Sequence, residues 1–291
     1  MRSQPGRFRL LRSGTCFSVA AATCAGSAGP SVQHSISRRG RSVNIPRFIH
    51  QTVRNKNKIH PVLKENIKRL RTLNPRWQHR MYDDADVRRF ISQHFGAETL
   101  RYFKRINPIY GPAKADFFRY LLMYKVGGVY LDVKSGLSRP LDETITGDEY
   151  LLSHWNNKLG QRYQGFGLHA GLGPNGELQQ WHIVAPPGHT YLKAVIAGVM
   201  RNIDEYDPLM HGTGKLGVLR VTGPIAYTSA IEPIRQDHPH RMVDIEQLGF
   251  IYSVTGGSAH ELSHELLFPN HYRGSQEPIV RDTAGADRVT D

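Results

Sequence analysis

One run near the middle of the chain constrains the fold most: Gly111-Pro-Ala-Lys-Ala-Asp-Phe-Phe-Arg-Tyr-Leu-Leu-Met-Tyr-Lys-Val-Gly-Gly-Val-Tyr-Leu-Asp-Val-Lys134. Gly111-Pro112 opens a helix, because proline's fixed φ is already helical and its missing N–H is not needed in a first turn. Gly127-Gly128 closes that helix with backbone that a Cβ would oppose. The β-branched and aromatic stretch 129–133 then reads as a strand. A helix returning through two glycines into a strand is half of an α/β unit.

The rest of the chain extends the pattern. Ile45-Pro-Arg-Phe-Ile-His-Gln51 reads as a strand. Val62, Leu63, Ile67 and Leu70 recur at helical spacing over 61–73, and Asn74-Pro75 stops them. A strand over 77–82 precedes a helix capped at Asp83-Asp84 and running through Phe90 and Ile91. Further strands are expected over 180–185 and 250–253, with helices over 189–203 and from Gly223-Pro224. The alternation predicts an α/β domain over 45–275, a mostly parallel central sheet flanked by helices. Ligands of such sheets sit beyond the carboxyl ends of the strands.

Composition narrows the function. Apolar residues make up 39% and charged residues 22%, as in a globular body with a sizeable core. The net charge is +13, but residues 1–64 hold twelve Lys/Arg and no acid, and beyond Lys64 the bases (26) nearly balance the acids (25). The body therefore lacks the bulk charge of a basic nucleic-acid-binding face, and no nucleic-acid partner is expected there. Cys16 and Cys24 both precede the body, which excludes a disulfide framework and a thiolate zinc site within it. Residues 1–44 read as a basic, disordered leader or a targeting segment. Their most apolar part, 16–25, falls short of the ~20 residues that span a bilayer, so membrane contact is expected only through this leader. The compartment would be the Golgi or secretory lumen if the leader is a eukaryotic targeting signal, and the cytoplasm in a bacterium. Electrostatic binding of RNA or a membrane by the leader is a separate possibility that coexists with any function of the body. Residues 276–291 are polar and aperiodic, and are expected to fray.

The chemistry gathers around residues 116–134. On a helix, Asp116, Arg119, Tyr120 and Met123 share one face, with Phe117, Leu121 and Tyr124 as the adjacent apolar stripe. The following strand delivers Asp132 at its carboxyl end. A carboxylate there suits a hard cation, Mg²⁺ or Mn²⁺, bridged to a diphosphate. Asp116 would accept hydrogen bonds from sugar hydroxyls, and the planar fork of Arg119 would clamp phosphate or sugar oxygens. Each residue also has a bland role: a first-turn acid, an exposed i,i+3 ion pair, a turn residue. Their order within one helix–Gly-Gly–strand unit favours the site. Trp155 and Trp181 are expected in the core, loop 156–176 as an acceptor-side lid, and Gln180-Trp181-His182 facing the donor.

The run Ala-Asp-x-x-Arg-Tyr…Leu-x-x-Tyr-x-x-Gly-Gly-Val-Tyr-Leu-Asp resembles the DXD-containing sugar-binding region of glycosyltransferase family 32, a group of mannosyl- and related transferases. Ile45–Gln51 resembles that family's opening strand, and Asn74-Pro75, Trp77, Tyr82 and Val221-Thr-Gly-Pro224 are similar to its other motifs. The resemblance implies a GT-A-type fold, a nucleotide-sugar donor, a carbohydrate or lipid acceptor, retention at the anomeric carbon and usually Mn²⁺. It implies that Ile49, His50 and Gln51 lie by the nucleotide base, that Asp116 and Arg119 hold the donor sugar with Tyr120 beside them, and that Asp132 is the first acid of the DXD. The third position departs: it is Lys134. An ammonium group cannot ligate a cation. Either the metal is held by Asp132 and a downstream ligand, for which His271 is the candidate, or Lys134 itself neutralises the diphosphate. The same departure motivates a second class, a nucleotide-sugar-binding homologue with weakened or lost catalysis.

Overall fold

The computed structural model describes residues 44–254 and 272–281. In chain order the body runs β1 (Phe48–Thr52), α1 (Pro61–Leu73), β2 (Gln78–Tyr82), α2 (Asp84–Arg105), α3 (Gly111–Val126), β3 (Gly128–Leu131), β4 (Gly136–Leu137) and α4 (Leu141–Thr144). It continues with β5 (Tyr150–Leu152), β6 (His182–Ala185), α5 (Thr190–Asp204), α6 (Pro208–His211), α7 (Gly214–Val221), α8 (Pro224–Ile231), β7 (His240–Met242) and β8 (Phe250–Ile251).

Six strands form the main sheet in the order β2-β1-β3-β6-β5-β7, and β4 pairs with β8 in a small second sheet. β1 lies parallel to β2 and β3; β6 is antiparallel to β3 and β5; β5 and β7 are parallel. Five strands thus run one way and β6 alone runs against them. The α/β class and the mostly parallel sheet agree with the sequence reading. The reversal of β6 decides the site: it brings the amino end of β6 to the edge where β1, β2 and β3 end.

Period-two alternation sorts side chains onto two faces. Val129 and Leu131 of β3, Leu151 and Val184 meet Leu70 of α1 and Trp155, Trp181 and Phe250 on one side. Tyr130, Tyr150, Leu152, Ile183 and Ala185 meet α2, α3, α5, α7 and α8 on the other. Helix α3 is buried from Asp116 through Met123 without interruption, so the single apolar stripe expected for it is replaced by apolar packing all round. Such a helix belongs inside a layered core.

Local chemistry fixes the ends of these elements. α1 occupies the predicted span, with Pro61 in its first turn and Asn74 Nδ2 donating to the Leu70 carbonyl (2.9 Å). Asp83 caps α2 in a capping box with Asp86, and the helix breaks at Gly96 (φ 77°). Residues 276–281, expected to fray, dock instead. Ile279 and Val280 are buried, Asn107 N–H donates to the Ile279 carbonyl (2.8 Å), and Ile106 bridges Val280. This pair of apolar residues gives the polar stretch something to bury. The leader, His271 and residues 282–291 lie outside the described residues.

Candidate active site

Asp132 is the residue immediately after β3, at the end of the sheet where ligands gather. Gly127 (φ 68°) and Gly128 (φ 106°) place it there. A Cβ on Gly127 would lie 2.6 Å from Pro187 Cδ, and one on Gly128 would lie 2.8 Å from the Phe48 carbonyl oxygen. The helix-to-strand return is therefore closed to any side chain. The Asp132 backbone is then pinned: its N–H donates to the Trp181 carbonyl (2.9 Å), and its carbonyl accepts from Gln51 Nε2 (3.1 Å) and from Ser135 N–H (2.8 Å).

Arg119 reaches this point from the middle of α3. One terminal nitrogen, Nη2, lies 3.0 Å from Asp116 Oδ1 and 3.0 Å from Asp132 Oδ1. The other, Nη1, donates to the Gln180 carbonyl (2.7 Å), and the guanidinium carbon lies 4.7 Å from the centre of the Tyr130 ring. The side chains of Asp116 and Arg119 are each 5% exposed and that of Asp132 is 25%. The exposed-ion-pair role for Asp116 and Arg119 is thereby excluded, and Asp116 stands beyond the first turn of α3. Asp116 also accepts from Gln180 Nε2 (3.1 Å) and Thr222 Oγ1 (3.2 Å).

Electrostatics follow the geometry. Burial pushes the Asp116 carboxyl up to about 6; Arg119 opposes this and Asp132 reinforces it. Burial works against the Arg119 charge, but Asp132, then Tyr130 and Asp116, outweigh it and hold the guanidinium above its ordinary value. Burial also raises the Tyr272 hydroxyl to about 12, with Asp116 as its next cause, which brings residue 272 into the same field. Four buried polar atoms around this cluster have no hydrogen-bond partner among the described residues: Arg119 Nε, Gln180 Oε1, Trp181 Nε1 and His182 Nδ1. A buried polar group left unpaired costs about 1–3 kcal/mol, so their concentration here points to a ligand rich in hydroxyl or phosphate oxygens.

Other sequence candidates fall in different places. Tyr120 is buried and its hydroxyl donates to the Thr222 carbonyl (2.9 Å), one residue removed from Asp116. Ile49 and His50 have no exposed surface; His50 Nε2 donates to the Gly127 carbonyl (3.0 Å), and Tyr82 Oη donates to its Nδ1 (3.2 Å). Gln51 bridges His79 and the Asp132 carbonyl. Trp155 and Trp181 are buried, as expected. Part of loop 156–176 is core as well: Tyr163 and Phe166 pack on Trp155, and Glu177 accepts from Trp155 Nε1 (2.7 Å). Lys134 Nζ donates to the Tyr252 hydroxyl (2.9 Å) and lies 4.1 Å from the centre of that ring.

Sequence reasoning gave Gln180 only a facing role and missed Thr222 as a partner of Asp116 and Tyr252 as a partner of Lys134. The antiparallel β6 delivers Gln180, and residues more than a hundred positions away deliver the other two contacts.

The described residues do not form the ligand set of a divalent cation. Among them no three His, Cys, Asp or Glu side chains group to hold a metal ion. Asp132 has committed one oxygen to Arg119, and a lysine follows two positions on. His271 lies outside the described residues.

Fold and site define a class, an α/β protein with a polar cluster at the carboxyl end of its central strand. The comparisons then identify the segment that carries it: residues 61–151 match the family described as glycosyltransferase sugar-binding region containing DXD motif. The chain is 26% identical over 216 residues to the initiation-specific alpha-1,6-mannosyltransferase of Schizosaccharomyces pombe, which covers 65% of this chain and 48% of the relative. It is 32% identical over 105 residues to inositol phosphoceramide mannosyltransferase 3 of the same yeast, covering 36% and 28% respectively. The chain thus spans about half or less of the length of these relatives. Among solved structures, the PaToxG glycosyltransferase superposes with a TM-score of 0.46 at 13% identity, over 66% of this chain and 70% of that one.

Proposed function

We propose that the chain is a retaining hexosyltransferase, which moves a hexose from a nucleotide-diphosphate sugar to a hydroxyl of a glycan or lipid acceptor. The observation that carries this reading is the Arg119 guanidinium shared between Asp116 and Asp132 beside the end of β3. The sugar-binding region that contains these residues supports it. The names of the relatives make mannose the first donor sugar to try.

Asp116 and Gln180 are two adjacent acceptors, and sugar hydroxyls are donors that would satisfy them. Gln180 Oε1 and Arg119 Nε are complementary, unpaired, and close to the Asp116 carboxylate. Arg119 fixes Asp116 and Asp132 relative to each other before any ligand arrives, and such preorganisation lowers the cost of orienting a donor. The charge that grows on the departing diphosphate develops at the 25%-exposed face of Asp132, where Arg119 stands behind it. The second reading, a binding homologue without turnover, rests on Lys134.

Incubation with a panel of UDP- and GDP-hexoses separates the two. The proposal predicts nucleoside diphosphate release, and a product whose anomeric configuration, read by NMR, matches that of the donor. Inversion would remove the retaining assignment. Binding without release across the panel would favour the second reading.

A further inference from the structure

Lys134 is held more firmly than a surface lysine. The turn 132–135 is closed by Ser135 N–H donating to the Asp132 carbonyl (2.8 Å). Asn66 Nδ2 of α1 donates to the Ser135 carbonyl (2.8 Å), Ser135 Oγ donates to the Tyr252 carbonyl (2.7 Å), and Val254 N–H donates to the Lys134 carbonyl (2.9 Å). The side chain itself is buried, with its ammonium on the Tyr252 hydroxyl and ring. Tyr252 packs edge-on against Trp155 (5.0 Å between ring centres) and against Trp181 (5.5 Å). The carbonyl of Trp181 holds the N–H of Asp132. Lysine and aspartate are therefore fixed to one aromatic frame.

Charge then distinguishes this site from one with two DXD acids. An aspartate at 134 together with Asp116, Arg119 and Asp132 would leave two net negative charges at pH 7, and a diphosphate could approach only with a dication. With Lys134 the four groups sum to zero. A dication placed among them would face the ammonium and the guanidinium at short range, and like charges repel. An ammonium group is also a direct ligand for phosphate oxygens, acting as a point charge with N–H donors.

We infer that Lys134 carries the diphosphate contact that a cation bridges when two acids occupy these positions, so that this chain binds nucleoside diphosphates without a metal. The inference rests on the donor-site reading above, and one experiment separates the two. Calorimetric titration of the full chain with UDP and with GDP is run in EDTA and again with Mn²⁺. The wild-type Kd should agree between the two conditions within about threefold. Lys134→Asp should lose about tenfold or more in EDTA and regain affinity with Mn²⁺, the size expected for one charge-assisted contact. Lys134→Arg should keep metal-free binding, and Lys134→Met should lose it with or without Mn²⁺; melting curves confirm that each variant is folded. Wild-type binding that vanishes in EDTA and returns with Mn²⁺ overturns the inference and leaves the donor site standing. Equal affinity of Lys134→Met and wild type in EDTA also overturns it. No binding of either nucleotide under either condition removes both.

Discussion

Arg119 is a charge kept inside the protein by two carboxylates, a backbone carbonyl and an aromatic face. Removing one side of a buried pair strands the other, which costs about 3–5 kcal/mol. Arg119→Met should therefore lower unfolding free energy by that amount in urea titrations, because Asp116 loses its counter-charge in a site without water-facing surface. Asp132→Asn keeps the Arg119–Asp116 contact and should cost far less stability. At this scale the sequence was half legible. The i,i+3 spacing put Asp116 and Arg119 on one helix face, and the two glycines aimed Asp132 at the strand end. Burial was not legible, since an ion pair on an exposed helix has the same spacing. Thr222 and Tyr252 were not legible either, because their contacts join residues 106 and 118 positions apart.

The unit that positions these residues is the α3–Gly-Gly–β3 return. Gly127→Ala should destabilise the fold by at least about 1–3 kcal/mol from its positive φ alone. Contact with Pro187 at 2.6 Å adds to that, because backbone nitrogen and ring carbon cannot both retreat. A midpoint shift in urea at unchanged slope would show it; a variant as stable as wild type would mean the return relaxes freely. Asp83→Ala tests a gentler feature, the α2 capping box, and should cost about 1 kcal/mol. Helices with a stop signal, such as α1, were read to the residue. β5 and β7 were missed, because three residues carry too little alternation to register. The direction of β6 was missed for a different reason: period two records which face a residue takes and says nothing about which way the strand runs.

Across the whole molecule, buried histidines set the response to acid. Burial lowers His50 and His182 to about 3, and His79 and His189 to about 4, from an ordinary 6.5. Below about pH 6.5 the unfolded chain takes up protons at these sites and the folded chain does not, so stability falls as pH falls. Asp116 acts in the opposite sense. Its folded value, about 6, lies above its unfolded one, so it favours the fold as pH drops through that window. Between pH 4 and 6 these five groups together give a net slope of about three protons, with stability rising as pH rises. His182→Gln should reduce that slope by about one proton in urea titrations taken at several pH values. The most direct test of the donor site compares nucleoside diphosphate release from a nucleotide sugar by wild type and Asp132→Asn, with thermal unfolding of both. Release should fall on the order of 10²–10³-fold, while the unfolding midpoint stays within a few degrees. Equal rates in the two proteins would contradict a donor site at the end of β3.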